Sequence, residues 1–194
     1  MRKNLLLCGH IGCGKSTLIR MALGAAAARA GGYVTLRILE GQNLIGFDLA
    51  PTPALACPEY LEQAARFMDF TGNQKPDLSV FSGLGTRLLR EAAEKPFAVA
   101  DEFGGVELLI PELGQALMEL LQSPVPCIGV IKDPDASRAL SRRMRLGEEY
   151  KAAYEGLFNW LKRDPNTMIL RTTGQSDGFA ARQIDLWVKE FVRK

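Results

Sequence analysis

Residues 9–16, GHIGCGKS, fit the pattern G-x-x-x-x-G-K-[ST] and constrain the fold of this chain more than any other feature. Glycines in such a loop let the backbone turn tightly, so that successive N–H groups point at phosphate oxygens. The helix that follows presents its positive N-terminal end to the same anion. Lys15 is predicted to reach the β- and γ-phosphates, and Ser16 to offer its hydroxyl to Mg²⁺, which prefers oxygen ligands. The predicted nucleotide-binding residues are Gly9, His10, Ile11, Gly12, Cys13, Gly14, Lys15, Ser16 and Thr17.

The sequence around this loop has the order strand, loop, helix that phosphate binding requires. The apolar run 5–8 precedes the loop, and the helix-forming segment 17–23 follows it. Further along, strand-like and helical patterns alternate, which favours an α/β fold with helices on both faces of a mostly parallel sheet. Strand-like runs lie at 97–102, 125–131 and 168–170, and helical spacing of apolar residues at 84–92, 111–121, 150–161 and 184–191.

Two further elements are predicted between the first helix and residue 84. Residues 33–39 and 44–49 flank a Gly-Gln-Asn turn and are typical of a β-hairpin. Residues 59–70 are interpreted as a helix. At the other end of the chain, Asp177 is predicted to cap the last helix.

The strand at 97–102 ends in two carboxylates, Asp101 and Glu102. An apolar strand with this ending is the Walker B pattern that accompanies a Walker A phosphate loop. We predict that Asp101 orients the Mg²⁺ shell and that Glu102 holds the attacking water. Lys15 and Glu102 are therefore the candidate catalytic residues, with Ser16 and Asp101 at the metal.

Composition and charge give no indication of a nucleic-acid or membrane partner. The chain has 194 residues, a net charge of +2 and 47% hydrophobic residues, which indicates one globular domain. Its charge is too mild to indicate a nucleic-acid surface, and its apolar runs are too short for a membrane span. The four cysteines lack C-x-x-C or metal spacing, so we expect reduced thiols in a cytoplasmic protein. The oligomeric state is left open.

Three blocks of the chain together resemble the THEP-type nucleoside-triphosphatase family, also known as the cancer-related nucleoside triphosphatases. These blocks are the phosphate loop, the stretch from Gly32 through Glu40 to Asp48, and residues 101–111 with their Asp-Glu-Phe-Gly start. The likeness covers roughly residues 2–131. It implies a three-layer α/β/α, RecA-like P-loop protein that hydrolyses several nucleoside triphosphates with Mg²⁺. It assigns to Lys15, Ser16, Asp101 and Glu102 the same roles as above.

The C-terminal third departs from the family pattern. We expect one domain over residues 1–194, with a helical, lid-like insertion at about 133–165. Arginines cluster there, and a cation that reaches the γ-phosphoryl oxygens would accelerate hydrolysis; a solvated basic helix face is the alternative. The arginines of this cluster are Arg138, Arg142, Arg143 and Arg145.

Two other segments are candidates for contacts with the nucleotide. Arg37 and Glu40 in the hairpin either contact nucleotide or order the water, or simply pair on a solvent face. Residues 172–176 lie where the family commonly carries a residue that meets the base, but lack its usual pattern, so base preference is left open.

The sequence thus predicts a Mg²⁺-dependent nucleoside triphosphatase acting on ATP, GTP and other nucleotides. One alternative is a small-molecule or nucleotide kinase, with the basic insertion as its lid and residues 59–77 as an acceptor site. The other is an accessory protein in which nucleotide occupancy acts as a switch for a partner.

Overall fold

One sheet organises the molecule. The computed structural model describes residues 1–72 and 75–193. In these residues seven strands lie in the order β4-β3-β2-β5-β6-β1-β7. Strands β2, β5, β6, β1 and β7 are parallel neighbours, whereas β3 is antiparallel to both β2 and β4. The strands are β1 Asn4–Cys8, β2 Gly31–Glu40, β3 Asn43–Pro51, β4 Ala65–Asp69, β5 Ala98–Phe103, β6 Cys127–Ile131 and β7 Thr167–Arg171.

Helices cover both faces of the sheet. Because side chains alternate along a strand, Leu5 and Leu7 of β1 join one apolar cluster and Leu6 and Cys8 the other. The three-layer α/β/α, RecA-like fold is confirmed. The helices are α1 Lys15–Leu23, α2 Leu78–Val80, α3 Thr86–Glu91, α4 Pro111–Gln122, α5 Pro134–Met144, α6 Glu148–Arg163 and α7 Gly178–Phe191, with a π-helical turn at Phe81–Gly85 between α2 and α3.

The predictions of a first strand before the phosphate loop and of a cap at the last helix agree with the structure. All five residues of β1 are buried, which explains its continuous apolar run, since a central parallel strand has no solvent face. Asp177 caps α7 by accepting a hydrogen bond from the backbone N–H of Ala180 at 3.0 Å. The predicted cap is therefore confirmed.

The hairpin prediction is confirmed, and the helix prediction for residues 59–70 is wrong. Strands β2 and β3 pair from Tyr33↔Pro51 to Glu40↔Asn43. Residues 58–63 form only a 3₁₀ helix, and Ala65–Asp69 form β4, which pairs with β3. Backbone pairing and aromatic packing explain the difference, because Phe67 stacks on Phe47 with ring centroids 6.1 Å apart.

Helices α5 and α6 occupy the segment that the sequence marked as a basic insertion. Tyr150 accepts a hydrogen bond from Ser137 at 2.9 Å and donates to the carbonyl of Gly104 at 3.0 Å. Tyr154 donates to the carbonyl of Lys132 at 2.7 Å. These bonds fasten both helices to the loops that follow β5 and β6.

Within the described residues, no helix has both the length and the apolar character needed to cross a membrane.

Candidate active site

The phosphate loop connects β1 to α1, and its conformation depends on glycine. Gly12 and Gly14 have φ values of 78° and 95°, which L side chains rarely adopt. The Lys15 ammonium donates to the carbonyls of Gly9 at 3.0 Å and His10 at 2.6 Å, and the residue is only 6% exposed. The lysine is thus folded over the loop on which the sequence predicts that phosphates bind.

The segment that follows β7, residues 172–175, packs against the phosphate loop. The N–H of Thr172 donates to the carbonyl of Cys8 at 2.9 Å, so the pairing with β1 extends one residue past the end of β7. Gly174 has a φ of 122°, and a Cβ there would lie 2.1 Å from the carbonyl oxygen of Cys13. A Cβ on Gly14 would lie 2.8 Å from the side chain of Gln175. Residues 172–176, considered above for the base, here pack against the loop backbone.

Ser16 and Asp101 meet as the sequence predicts for a metal site. The Ser16 hydroxyl donates to Asp101 Oδ1 at 2.8 Å, and the N–H of Thr35 donates to Oδ2 at 3.3 Å. Asp101 is 3% exposed. Burial, with the charge of Glu102 second, raises the pKa of Asp101 from 3.8 to about 7, against the opposing hydrogen bonds from Ser16 and Thr35.

This pair of oxygen donors fits Mg²⁺. Magnesium in nucleotide sites usually takes one or two protein oxygens and completes an octahedral shell with phosphate oxygens and water. Ser16 and Asp101 supply one hydroxyl and one carboxylate beside the phosphate loop. The buried Asp101 carboxylate is held by two hydrogen bonds, and a cation here would favour its charged form.

Glu102 occupies a distorted position in β5. The register of β5 against β6 shifts between Ala100 and Phe103, and Glu102 has a φ of 60°. Such a left-handed conformation costs an ordinary L-residue roughly 1–2 kcal/mol. The irregularity leaves Asp101 buried and Glu102 exposed on the rim of two adjoining cavities. Bulges commonly re-aim side chains next to active sites.

Two cavities lie at this end of the sheet. The first, the loop cavity, has a volume of about 270 Å³ and includes Gly9, Ile11 and Lys15. The second, the aromatic cavity, has a volume of about 150 Å³ and includes Phe67 and Phe81. The residues that line both are Phe47, Met68, Glu102, Lys132 and Arg143.

Sequence reasoning missed Lys132 and Asp133, which follow β6 directly. Asp133 lines the loop cavity and forms an ion pair with Arg171 at 3.1 Å. Burial works to raise the pKa of Asp133, but the N–H of Asp135 and the Arg171 guanidinium oppose it, and the net shift is downward. The available signal was a polar pair after an apolar strand, at the carboxyl edge where parallel sheets bind ligands.

The structure separates the arginines of the basic cluster. Arg143 lines both cavities. Arg138 is ion-paired with Asp135 on the exposed side of α5, and Arg142 and Arg145 line neither cavity.

Arg37 and Glu40 of β2 are exposed and line neither cavity among the described residues. Arg37 is nevertheless the cross-strand partner of Phe47, so its side chain lies on the same sheet face as that ring.

Comparison with known proteins identifies the family. A family model described as NTPase matches residues 4–154, which is well over half of the chain. The chain belongs to this NTPase family. The match extends past residue 131, where the predicted likeness ended, and includes α5.

Individual NTPases agree with this assignment. The chain is 27% identical to Nucleoside-triphosphatase THEP1 of Thermofilum pendens over 139 residues, which are 70% of this chain and 76% of that protein. The crystal structure of THEP1 from the hyperthermophile Aquifex aeolicus has a TM-score of 0.63 at 18% identity, over 93% of this chain and 96% of that one. The solution structure of a human cancer-related nucleoside triphosphatase has a TM-score of 0.52 at 20% identity, over 83% and 98%. The THEP-type family, the P-loop fold and the enzyme class, nucleoside triphosphatase, are confirmed.

Proposed function

We propose that this NTPase hydrolyses ATP, GTP and other nucleoside triphosphates to the diphosphate and phosphate in a Mg²⁺-dependent reaction, with Glu102 positioning the water. The observation that carries the proposal is the placement of Glu102. Glu102 lines the same cavity as Lys15. It follows Asp101 in the sequence, and Asp101 accepts a hydrogen bond from the Ser16 hydroxyl. A carboxylate beside the phosphate loop is where an attacking water must be oriented.

Each residue of the site has a defined task in this reaction. Lys15 exchanges the carbonyls of Gly9 and His10 for β- and γ-phosphate oxygens, and loop N–H groups bind the same phosphates. Ser16 and Asp101 would hold Mg²⁺, which would supply positive charge to offset the charge of the phosphate groups. Glu102 accepts a hydrogen bond from the water, aligns it with the γ-phosphorus and takes up its proton.

Arg143 is the basic-cluster residue best placed to act on the γ-phosphate. Charge develops on the γ-phosphoryl oxygens during transfer, and a cation there lowers the barrier. Arg143 lies on α5, which also contributes Ala136 to the wall of the loop cavity. We therefore propose that residues 1–194 form one domain in which the segment 133–165 covers the site.

The decisive experiment compares phosphate release with nucleotide binding in Glu102→Gln. Removing the carboxylate while keeping its shape should lower kcat by about 10²–10⁴-fold. Binding should persist, because the phosphate loop is untouched. Release is measured with ATP, GTP, CTP and UTP, each with and without Mg²⁺, and binding by titration of a fluorescent nucleotide.

Glu155→Gln is the matched control, because Glu155 is an exposed acid on α6 that lines neither cavity. It should behave as the wild type. Unchanged turnover in Glu102→Gln would show that another group orients the water, and release without Mg²⁺ would remove the metal from the reaction.

A further inference from the structure

Glu102 lines both cavities, but only the loop cavity is lined by residues of the phosphate loop. Gly9, Ile11 and Lys15 line the loop cavity. Among the described residues that line the aromatic cavity, none belongs to segment 9–17. A nucleotide whose γ-phosphate lies at Lys15 would occupy the loop cavity and leave Phe67 and Phe81 of the aromatic cavity uncovered. A carboxylate between two compartments is placed to serve a reaction between their contents.

The size and lining of the aromatic cavity indicate what it accommodates. Phe47, Phe67 and Phe81 contribute rings, and the Phe67 and Phe81 centroids are 4.9 Å apart in an edge arrangement. A cavity of about 150 Å³ has room for a molecule the size of benzene, and the three rings form its apolar wall. Orienting a single water for hydrolysis requires no such wall. The lining therefore favours a ligand with one planar ring.

The charged groups of the aromatic cavity favour an anionic substituent on that ring. Lys132 and Arg143 both line it. Its one other acid besides Glu102, among the described residues, is Glu107, which accepts a hydrogen bond from the N–H of Gly105 at 2.6 Å. Burial raises the pKa of Glu107, so its charge opposes an anion less than that of an exposed carboxylate. With Arg143 facing the γ-phosphate, Lys132 is the cation left for this anionic group, and a cation next to an apolar wall is a common arrangement for carboxylate or phosphate recognition.

We propose that the aromatic cavity binds a second substrate, a one-ring compound that carries a hydroxyl and an anionic group, and that this hydroxyl accepts the γ-phosphoryl group. The proposal rests on the proposed function, because the nucleotide in the loop cavity is the donor. The acceptor oxygen forms a bond to the γ-phosphorus while the bond from that phosphorus to the β–γ bridging oxygen breaks. The bridging oxygen keeps the electron pair and leaves on the nucleoside diphosphate.

The proton of the acceptor hydroxyl passes to the Glu102 carboxylate and then to solvent. The products are a phosphate monoester and the nucleoside diphosphate. When the aromatic cavity lacks an acceptor, water occupies the same position beside Glu102, and the reaction is hydrolysis. A bound acceptor should therefore lower phosphate release while nucleotide consumption continues.

The test uses a small panel of ring compounds with γ-³²P-labelled ATP. The acceptors are 4-(hydroxymethyl)benzoate, 3-hydroxybenzoate and 4-hydroxyphenylacetate. Benzoate lacks the hydroxyl, and benzyl alcohol lacks the charge. Binding is measured by ligand-observed NMR with ADP and Mg²⁺ present, and transfer by separating labelled ester from labelled phosphate. At least one acceptor should bind at millimolar concentration and become labelled, and benzoate should bind without labelling.

A pair of variants locates the binding site. Leu140 on α5 lines only the aromatic cavity, so Leu140→Trp fills it and should weaken binding of the ring compounds on the order of ten-fold or more. Ala139→Trp adds the same ring at an exposed position of α5 that lines neither cavity, and should change nothing. Lys132→Met should weaken benzoate but not benzyl alcohol, which keeps the test decisive if the tryptophan variant misfolds.

The outcomes separate this inference from the proposed function. If the protein releases phosphate from ATP but binds and labels none of the panel compounds, the inference is overturned and the NTPase proposal stands. Ring binding that Leu140→Trp and Lys132→Met both leave unchanged also overturns it, because the compounds then bind elsewhere. If labelled ester forms with an acceptor, but no phosphate is released when acceptor is left out, the inference is supported. Water is then not the natural acceptor.

Discussion

Single residues at the end of β5 carry most of the proposed chemistry. The irregularity between Ala100 and Phe103 lets adjacent residues have opposite surroundings. Asp101 is buried beside Ser16, and Glu102 faces the cavities. In a regular strand neighbouring side chains also point to opposite faces, but here Glu102 has a left-handed φ and the register shift leaves Asp101 and Glu102 without a partner residue in β6. In the proposed reaction, metal binding and water orientation therefore belong to different carboxylates.

Arg143 and Arg142 are a matched pair of neighbours on α5. If Arg143 acts on the γ-phosphate, Arg143→Ala should lower kcat by about ten-fold or more, since it removes charge that faces the transferred group. Arg142→Ala should leave kcat within about two-fold, because Arg142 lines neither cavity. Steady-state kinetics with ATP check this, and equal losses in both variants would favour a solvated basic face.

Asp101 should make the stability of the nucleotide-free protein depend on pH. Burial raises the pKa of Asp101 from 3.8 to about 7, so the folded protein binds its proton more tightly than the unfolded chain. The contribution of Asp101 to the free energy of unfolding therefore falls as pH rises from about 4 to about 7, and it stays constant above pH 7. Asp101→Asn should be more stable than the wild type at pH 8, on the order of a few kcal/mol, and similar near pH 4.

Urea unfolding of both proteins across this pH range measures the effect, because all other titrating groups are common to the two. A difference that does not change with pH would mean that Asp101 is charged in the folded protein throughout.

The sequence indicated the site residues that belong to local patterns. Lys15 and Ser16 follow from the loop motif, and Asp101 and Glu102 from an apolar strand with an acidic end. Lys132 belongs to no such pattern, because its place in both cavities depends on the position of β6 between β5 and β1, a property of the assembled sheet. The separation of Arg143 from its neighbours likewise depends on how α5 is fastened by Tyr150.

At the scale of elements, tertiary pairing decided what local pattern left ambiguous. Parallel strands and amphipathic helices were predictable from apolar spacing, because their burial pattern is one-dimensional. Residues 59–70 mix charged, aromatic and small residues without strict alternation, so their sequence alone does not predict strand β4. Its strand conformation comes from the free edge of β3 and the ring of Phe47, neither of which the segment itself encodes.

The loop after β7 supports the phosphate loop, so a change there should affect nucleotide binding. Gly174→Ala places a Cβ 2.1 Å from the Cys13 carbonyl oxygen at a φ of 122°. We expect it to lower stability by about 2 kcal/mol or more and to weaken nucleotide affinity, because the loop must shift. Gly178→Ala meets no atom within 4 Å and is the control. Calorimetric titration with ATP distinguishes them, and unchanged affinity in Gly174→Ala would show that the loop tolerates displacement.

At the scale of the whole molecule, α7 joins the end of the chain to its beginning. Trp187 is 0% exposed, and its indole N–H donates to the carbonyl of Lys3 at 2.9 Å. Trp187→Ala should cost about 3–5 kcal/mol through the cavity it leaves. Phe179→Ala, at an exposed position of the same helix, should change stability by less than about 0.5 kcal/mol. Urea denaturation measures both, and a small effect of Trp187→Ala would mean that α7 contributes little to the fold.

The place of β1 in the sheet also has a consequence for how the protein is made. The ribosome synthesises β1 and the phosphate loop before the two neighbours of β1 in the sheet, which are β6 and β7, residues 127–131 and 167–171. An unpaired apolar strand of this kind must wait for distant segments, which is slow because long loops have to close first. The phosphate loop can therefore reach its final packing only after β7 and the residues that follow it have been synthesised, since these residues pack against it.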